Sequence, residues 1–342
     1  MSTQSVVWYS PDQLGRVHMG IGYNRARKLL ECFHSKHIVV IGDIMLDQYV
    51  FGSARRMSPE APVPVLRQER LSASLGGAGN VAKNVVTLGA KATLTGVIGK
   101  DDPGLRLLEI VRSEGINYEL HMAAERPTTI KTRFLAGGHH MLRVDAEDSS
   151  DLKEADEAAL IQHALESIVG ADGVVVSNYD KGVIGESLSR SILTQARAQN
   201  IPVLVDAKPR RMRFLRGADA VSPNFEEACA YLAGYASSWE ITDVAAAIRE
   251  HYQIGTTFIT AGDQGMYVLD STGGVMMPQD HRVEVADTSG CGDTAAAVLL
   301  LCMLCDATPT EAALLANAAG AVVATKIGAV APRPEEILQM LC

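Results

Sequence analysis

Positive charge is scarce in this chain. Its 342 residues carry 31 Lys and Arg against 40 Asp and Glu, a net charge of −9. That balance excludes the basic footprint of a nucleic-acid binder and favours a small soluble substrate. Long apolar runs are also missing. The run Ala295–Cys305 is cut off by Asp306, well short of a membrane span. The first residues lack the basic-then-apolar pattern of a secretory signal, so a cytoplasmic location is expected. Cysteines are few and scattered, at 32, 229, 291, 302, 305 and 342. Cys302 and Cys305 form a CxxC inside an apolar run, with no second pair or nearby histidine. Buried free thiols in a reducing compartment are expected there, rather than a metal or redox site. Internal repeats, low-complexity linkers and a GxGxxG dinucleotide fingerprint are absent too.

What is present is an alternation. Short apolar runs at His37–Asp43, Ala92–Ile98, Gly173–Ser177, Pro202–Asp206, Ala218–Ser222 and Thr257–Thr260 read as buried strands. Helical patterns separate them at about 77–89, 102–114, 152–170, 185–199, 224–233 and 240–253. Buried strands alternating with helices predict a parallel sheet covered on both faces. Ligands on such sheets bind beyond the carboxyl ends of the strands. Residues 1–35 read as an extension, with a helix from Pro11-Asp12 to about Phe33. The ordered domain, 36–342, is expected to begin at His37.

Two stretches break the rhythm. Gln48–Leu71 carries Pro59, Pro62 and Pro64, and Asn117–Asp145 reads as three strands. Together they predict a small antiparallel sheet projecting from the core, serving as a lid or a dimer seam.

The densest chemistry lies at 287–294, Asp-Thr-Ser-Gly-Cys-Gly-Asp-Thr, directly before the apolar run. Small residues let the backbone turn with its N–H groups free, and a helix N-terminus of that kind holds anions. Asp293 in the first helical turn suits a base that deprotonates a hydroxyl, while the N–H groups of Gly290, Cys291 and Gly292 cradle a phosphoryl group. An N-cap aspartate after a glycine turn is the plainer reading. At Cys291 the helix dipole favours a thiolate, whereas Asp287 and Asp293 oppose it.

Further candidates follow. Gly76 and Gly77 open a helix, and Asn80 on it offers an amide to a polyol. Asn224 and Glu227 sit three apart at a helix start. They fit a capping box, and equally a pair that orients Mg²⁺ through water. Thr260, Gly262 and Gly265 form a turn between two strands that could border nucleotide phosphates. Asn317 and Gly320 begin a small-residue helix, which either packs tightly or lines a flat base slot. Lys131, Arg133, Arg143 and Lys181 fall in the lid strands or at strand ends. Singly each reads as a surface charge; converging, they would suit an anionic sugar phosphate.

Taken together, Gly-Asp43, Gly76-Gly77…Asn80, Asn224-x-x-Glu227, Thr260-x-Gly262-x-x-Gly265 and Asp287-Thr-x-Gly-x-Gly-Asp293 resemble the motifs of the ribokinase-like, PfkB-type carbohydrate kinases. They run in that family's order over about residues 37–340. The resemblance implies an α/β fold, an α/β/α sandwich with a mostly parallel central sheet and a small β-sheet lid. It also implies ATP with Mg²⁺, Asp293 as catalytic base, sugar contacts from Asp43 and Asn80, and a monovalent cation such as K⁺ near Asp287.

A narrower resemblance is to the D-glycero-β-D-manno-heptose-7-phosphate kinases. It rests on Gly42–Tyr49, Arg56–Val65, Thr128–Arg133, Leu142–Asp145 and the pair Asp206 and Lys208. It implies phosphorylation of an anomeric hydroxyl, with a sugar phosphate and ATP as partners; the projecting sheet, with apolar Val50, Phe51, Val63 and Val65 and no obvious cover, predicts a homodimer through the lid strands, and the lack of long apolar runs predicts no membrane partner. Ser177-Asn-Tyr-Asp-Lys-Gly182, Asp206-Ala-Lys-Pro209 and Cys291 depart from that group's usual residues. Another sugar or nucleoside kinase of the family, and a catalytically silent sugar-binding regulator, are the competing readings.

Overall fold

A computed structural model describes residues 20–137, 139–232, 239–279 and 283–341. The proposed helix start at Pro11-Asp12 lies outside the described residues. The strands are β1 (His37–Met57), β2 (Pro64–Gly77), β3 (Lys91–Gly99), β4 (Asn117–Ala123), β5 (Thr129–Ala136), β6 (His139–Ala146), β7 (Gly173–Asn178), β8 (Val203–Ala207), β9 (Ala220–Val221), β10 (Thr256–Thr260), β11 (Met266–Leu269) and β12 (Gly274–Met277). The helices are α1 (Tyr23–Cys32), α2 (Ala78–Thr87), α3 (Asp102–Ser113), α4 (Glu154–Ile168), α5 (Glu186–Ala198), α6 (Pro209–Met212), α7 (Phe225–Tyr231), α8 (Ile241–Tyr252), α9 (Cys291–Met303), α10 (Pro309–Ala324) and α11 (Pro334–Met340).

The central sheet runs β12-β11-β10-β9-β8-β7-β1-β3-β4. It is parallel from β10 to β4, and the hairpin strands β11 and β12 close one edge antiparallel. Side chains alternate between the faces of a strand, and two cores follow from that. Ile38, Val40, Leu94, Val175 and Leu204 pack on the side of α1, α2, α9 and α10. Val39, Ile41, Val174, Val176 and Val205 pack on the side of α4, α5 and α8. Helix starts follow local chemistry: Asp101 caps α3, with Pro103 in its first turn, and Thr308 with Glu311 forms a capping box on α10. Helix α9 is apolar on every side, and residues 293–302 are all buried.

Three expectations change. First, α1 belongs to the core: Ala26, Leu29, Leu30 and Phe33 are buried in it. Cys32 is bonded to Cys305, so these are not free thiols; Cys302 is the buried free thiol beside them. Second, residues 117–123 pair parallel with β3 as the last strand of the central sheet, not in the lid. Third, the lid is mixed. It runs β2-β1-β5-β6, with β1 and β5 parallel and the outer pairs antiparallel. Its inner strand is β1 itself, continuing out of the core without interruption.

Candidate active site

The carboxyl ends of β7, β8 and β10 open onto a cleft of about 950 Å³. Asp206 and Lys208 line it from the end of β8. Asn224 and Glu227 do so from the start of α7, and Thr260, Gly262 and Gly265 from the β10–β11 turn. Gly290, Cys291 and Gly292 enter with the turn before α9, and Asn317 and Gly320 with α10. Residues far apart in sequence are therefore brought to one wall system. Asn317 does not begin its helix, as expected from the sequence; it lies in the second half of α10. Its amide donates to the carbonyls of Met277 (3.2 Å) and Pro278 (3.4 Å).

Asp293 sits in the first turn of α9, only 3% exposed. Its Oδ2 accepts from Asn80 Nδ2 at 2.7 Å and its Oδ1 from the Tyr179 hydroxyl at 2.8 Å. Burial pushes its pKa up to about 6, against the pull of those two hydrogen bonds. Asp206 is pushed further, to about 8, by burial and by the negative charges of Asp293 and Glu227. Tyr179 was not singled out as a site residue from sequence, although its motif was. It follows the end of β7, beside the φ-positive Asp180, and lines the cleft.

Asn224 and Glu227 are a capping box. Glu227 N donates to Asn224 Oδ1 at 2.8 Å, and Asn224 N to Glu227 Oε2 at 3.1 Å. The other Glu227 oxygen is bonded to Lys208 Nζ. Capping and cleft lining thus coexist. Three acidic groups, Asp206, Glu227 and Asp293, face a single lysine here. Such a donor set fits a cation, and part of the rise in the Asp206 pKa comes from this uncompensated charge. Among the described residues no three His, Cys, Asp or Glu side chains could hold a metal by themselves. Mg²⁺ commonly takes one or two carboxylates and completes its shell with phosphates and water.

Several expected sugar contacts are otherwise engaged. Asp43, 1% exposed, accepts from the backbone N–H groups of Tyr179 (2.6 Å), Lys181 (3.2 Å) and Val183 (3.3 Å). It organises the 179–183 loop from below. Gly76 and Gly77 give close approach to β1: a Cβ on Gly76 would meet Asp47, and Gly77 has φ +58° against the Asp43 carbonyl. Asn80 spends its Nδ2 on Asp293, while its Oδ1 is buried with no hydrogen-bond partner among the described residues.

The four cations are all paired. Lys131 lies 3.2 Å from Asp145 and 3.7 Å from Glu147, and Lys181 lies 2.7 Å from Glu147. Arg133 meets Asp47 at 2.6 Å, and Arg143, half exposed, meets Asp145 at 2.9 Å. Lys131 and Lys181 do converge, on a shared carboxylate.

Asp287 accepts from Ser289 N and Gly328 N, both at 2.9 Å, and so braces two loops. Burial would raise its pKa, but the Ser289 side chain and the Ser289 and Gly328 N–H groups hold it below the usual carboxylate value. Burial, then Asp287 and Asp293, raise the Cys291 pKa to about 11, so Cys291 is a protonated thiol and not a reactive thiolate.

Residues 35–336 match the model of the pfkB family carbohydrate kinases. The chain belongs to that family. It is accordingly a phosphotransferase with an alcohol acceptor. Two relatives are the bifunctional protein HldE of Caulobacter vibrioides, 41% identical over 304 residues (88% of this chain, 62% of the relative), and that of Coxiella burnetii, 35% identical over 312 residues (91% and 65%). The chain spans less than two thirds of the length of either. The kinase fold is shared with Escherichia coli phosphofructokinase-2 in complex with potassium (TM-score 0.74, 20% identity, 90% of this chain, 97% of that one). Arabidopsis thaliana ribokinase complexed with ribose and ATP shares it too (TM-score 0.70, 18% identity, 90% and 98%).

Proposed function

We propose that this kinase transfers the γ-phosphoryl group of ATP to the anomeric hydroxyl of D-glycero-β-D-manno-heptose 7-phosphate. The observation that carries the reading is Asp293. It is a buried carboxylate held from both sides by Asn80 and Tyr179, at a helix N-terminus whose turn enters the nucleotide cleft. Asp293 accepts the hydroxyl proton. The N–H groups of Gly290, Cys291 and Gly292 hold the transferring phosphoryl group. Asn224, Thr260, Gly262, Gly265, Asn317 and Gly320 border the nucleotide. Mg²⁺ would neutralise phosphate charge, with Glu227 serving it through water. A monovalent cation near the Asp287 turn belongs to the same reading, with Asp287 shaping the loop. Catalysis of this kind is mostly positioning and electrostatics. The test is an ADP-release assay against a panel of sugars and sugar phosphates, with anomer-resolved phosphorus NMR of the product. Equal turnover on ribose, fructose 6-phosphate and heptose 7-phosphate would rule out the assignment.

The 7-phosphate is anchored by one or more of Lys131, Arg133, Arg143 and Lys181. Lys131 and Lys181 come first, because they converge and can exchange Glu147 for a phosphate. Replacing the anchor by Ala should raise KM for the sugar phosphate about 10–150-fold, the equivalent of one charge-assisted hydrogen bond, with KM for ATP unchanged. Wild-type sugar KM in all four variants would remove the phosphorylated substrate from the proposal.

The lid supports a homodimer. Register puts Asp47, Tyr49, Lys131, Arg133, Arg143 and Asp145 on one face. The opposite face carries the rung Leu71, Val50, Phe134 and Leu142. On that face Val50 is already buried, but Leu71 is 42% exposed, Leu142 57% and Val144 48%. A second copy laid on this face would bury them under closed symmetry. Sedimentation should show a dimer at micromolar concentration, and Leu142→Glu with Val144→Glu should yield monomers. A fully active wild-type monomer would contradict the seam.

A further inference from the structure

A second pocket, of about 260 Å³, shares no lining residue with the cleft. It lies between α5 and the turn that follows α6. Glu186, Arg190 and Arg197 fall at spacings of four and seven, one stripe of α5, while Leu188, Ile192 and Ala196 take the buried stripe. Arg213, Phe214 and Arg216 face them from the turn. Four guanidinium groups thus border one small concavity with a single carboxylate, in a chain whose net charge is −9.

Those arginines are poorly compensated. Arg190 is held by Glu186 at 2.6 Å, but both side chains are mostly exposed, and such a surface pair exchanges readily for a better partner. Among the described residues Arg197 donates only to the Gly217 carbonyl, at 3.3 Å. Arg213 stacks on Phe214 with its guanidinium carbon 4.7 Å from the ring centre, which holds it in place without spending its N–H donors. Arg216 has no hydrogen-bond or ion-pair partner among the described residues. Guanidinium forks match phosphate oxygens two at a time.

We infer that this pocket binds a small anion carrying two linked phosphate groups. The volume suits a diphosphate, and the acidic remainder of the surface disfavours an extended polyanion such as a nucleic acid. The pocket also has a covalent route to the proposed active site. Arg213 is five residues beyond Lys208, and between them the buried Arg211 is bonded to Asp151 and, at 3.3 Å, to Asp180 beside Tyr179.

The test is calorimetric titration of the full chain with sodium pyrophosphate at fixed ionic strength, with the cleft saturated by Mg²⁺ and a non-hydrolysable ATP analogue. Wild type should take up one equivalent, and Arg213→Glu with Arg216→Glu should bind at least about tenfold more weakly. The double variant should keep its melting curve and its affinity for the analogue, since both residues lie on the surface outside the cleft. Uridine diphosphate as a parallel titrant assigns the source: binding as tight as pyrophosphate indicates a nucleotide, weaker binding a free diphosphate. Three outcomes would overturn the inference: no wild-type binding below about 1 mM, equal binding by the double variant, or sulfate binding as tightly as pyrophosphate.

Discussion

Asp293→Asn should lower kcat by about two to four decades, the range for losing a general base, while MgATP affinity and the melting curve stay near wild type. The substitution keeps the side chain's volume and its place between Asn80 and Tyr179, so a fold defect is not the expected cause. The pH profile supplies a second reading. The Asp293 pKa is raised to about 6. The base is therefore ionised above that pH, and kcat should fall about tenfold per unit below it. An amide cannot titrate, so the acid limb should vanish from the residual activity of Asp293→Asn. Tyr179→Phe should shift the limb instead of removing it. The Tyr179 hydrogen bond favours the carboxylate, and without it the Asp293 pKa rises and the limb moves to higher pH. Near-wild-type kcat in Asp293→Asn, or an acid limb unaffected by Tyr179→Phe, would show that the proton leaves by another route.

The second large effect concerns stability. Cys32 and Cys305 join across 273 residues of sequence. A cross-link closing so long a loop contributes about 3–5 kcal/mol, mainly by restricting the unfolded chain. Cys32→Ser should therefore unfold at markedly lower denaturant under non-reducing conditions, and wild type with reductant should fall to the same midpoint. Thiol mapping of the denatured, unreduced protein should find Cys229, Cys291 and Cys302 reactive and Cys32 and Cys305 unreactive. Six reactive thiols, or a midpoint indifferent to reductant, would mean that the bond does not form in solution. The pairing sits beside an ionic clasp that survives reduction: Arg25 reaches Glu311 at 2.8 Å and the Asp306 carbonyl at 2.8 Å. Helix α1 should stay docked in either redox state.

Most of the central sheet was legible because its signals are local. A run such as His37–Asp43 or Gly173–Ser177 carries its own burial, and the helices between reveal themselves by periodicity and caps. The Asn224–Glu227 box was legible for the same reason. Its double use was open to the sequence as well, but the Lys208 contact was not, since Lys208 reaches it from another strand end. The lid was half legible. Its strands were visible, but the parallel pairing of β1 with β5 and the loss of 117–123 to the central sheet depend on long-range register that alternation alone does not encode. The cations were read without their partners. Asp145 and Glu147 stand in the same stretch, yet only the folded sheet brings Lys181 to Glu147. Tyr179 was hidden inside a motif noted for its departures, because an aromatic at a strand end usually signals packing. Cys32 and Cys305 lie at opposite ends of the chain, and an apolar surrounding argued for inert thiols just as well.

Strand β1 runs 21 residues from the middle of the central sheet to the tip of the lid. At about 3.3 Å per residue that is a beam roughly 70 Å long. Asp43 and Asp47 stand on it where one ladder of hydrogen bonds hands over to the other. A cover built on such a beam has no door hinge at that point. The pairing with β2 becomes irregular only further out, at the register shifts after Phe51 and Ala54. Tip and root are therefore one unbroken backbone, and the two aspartates share a single strand with the outermost part of the cover.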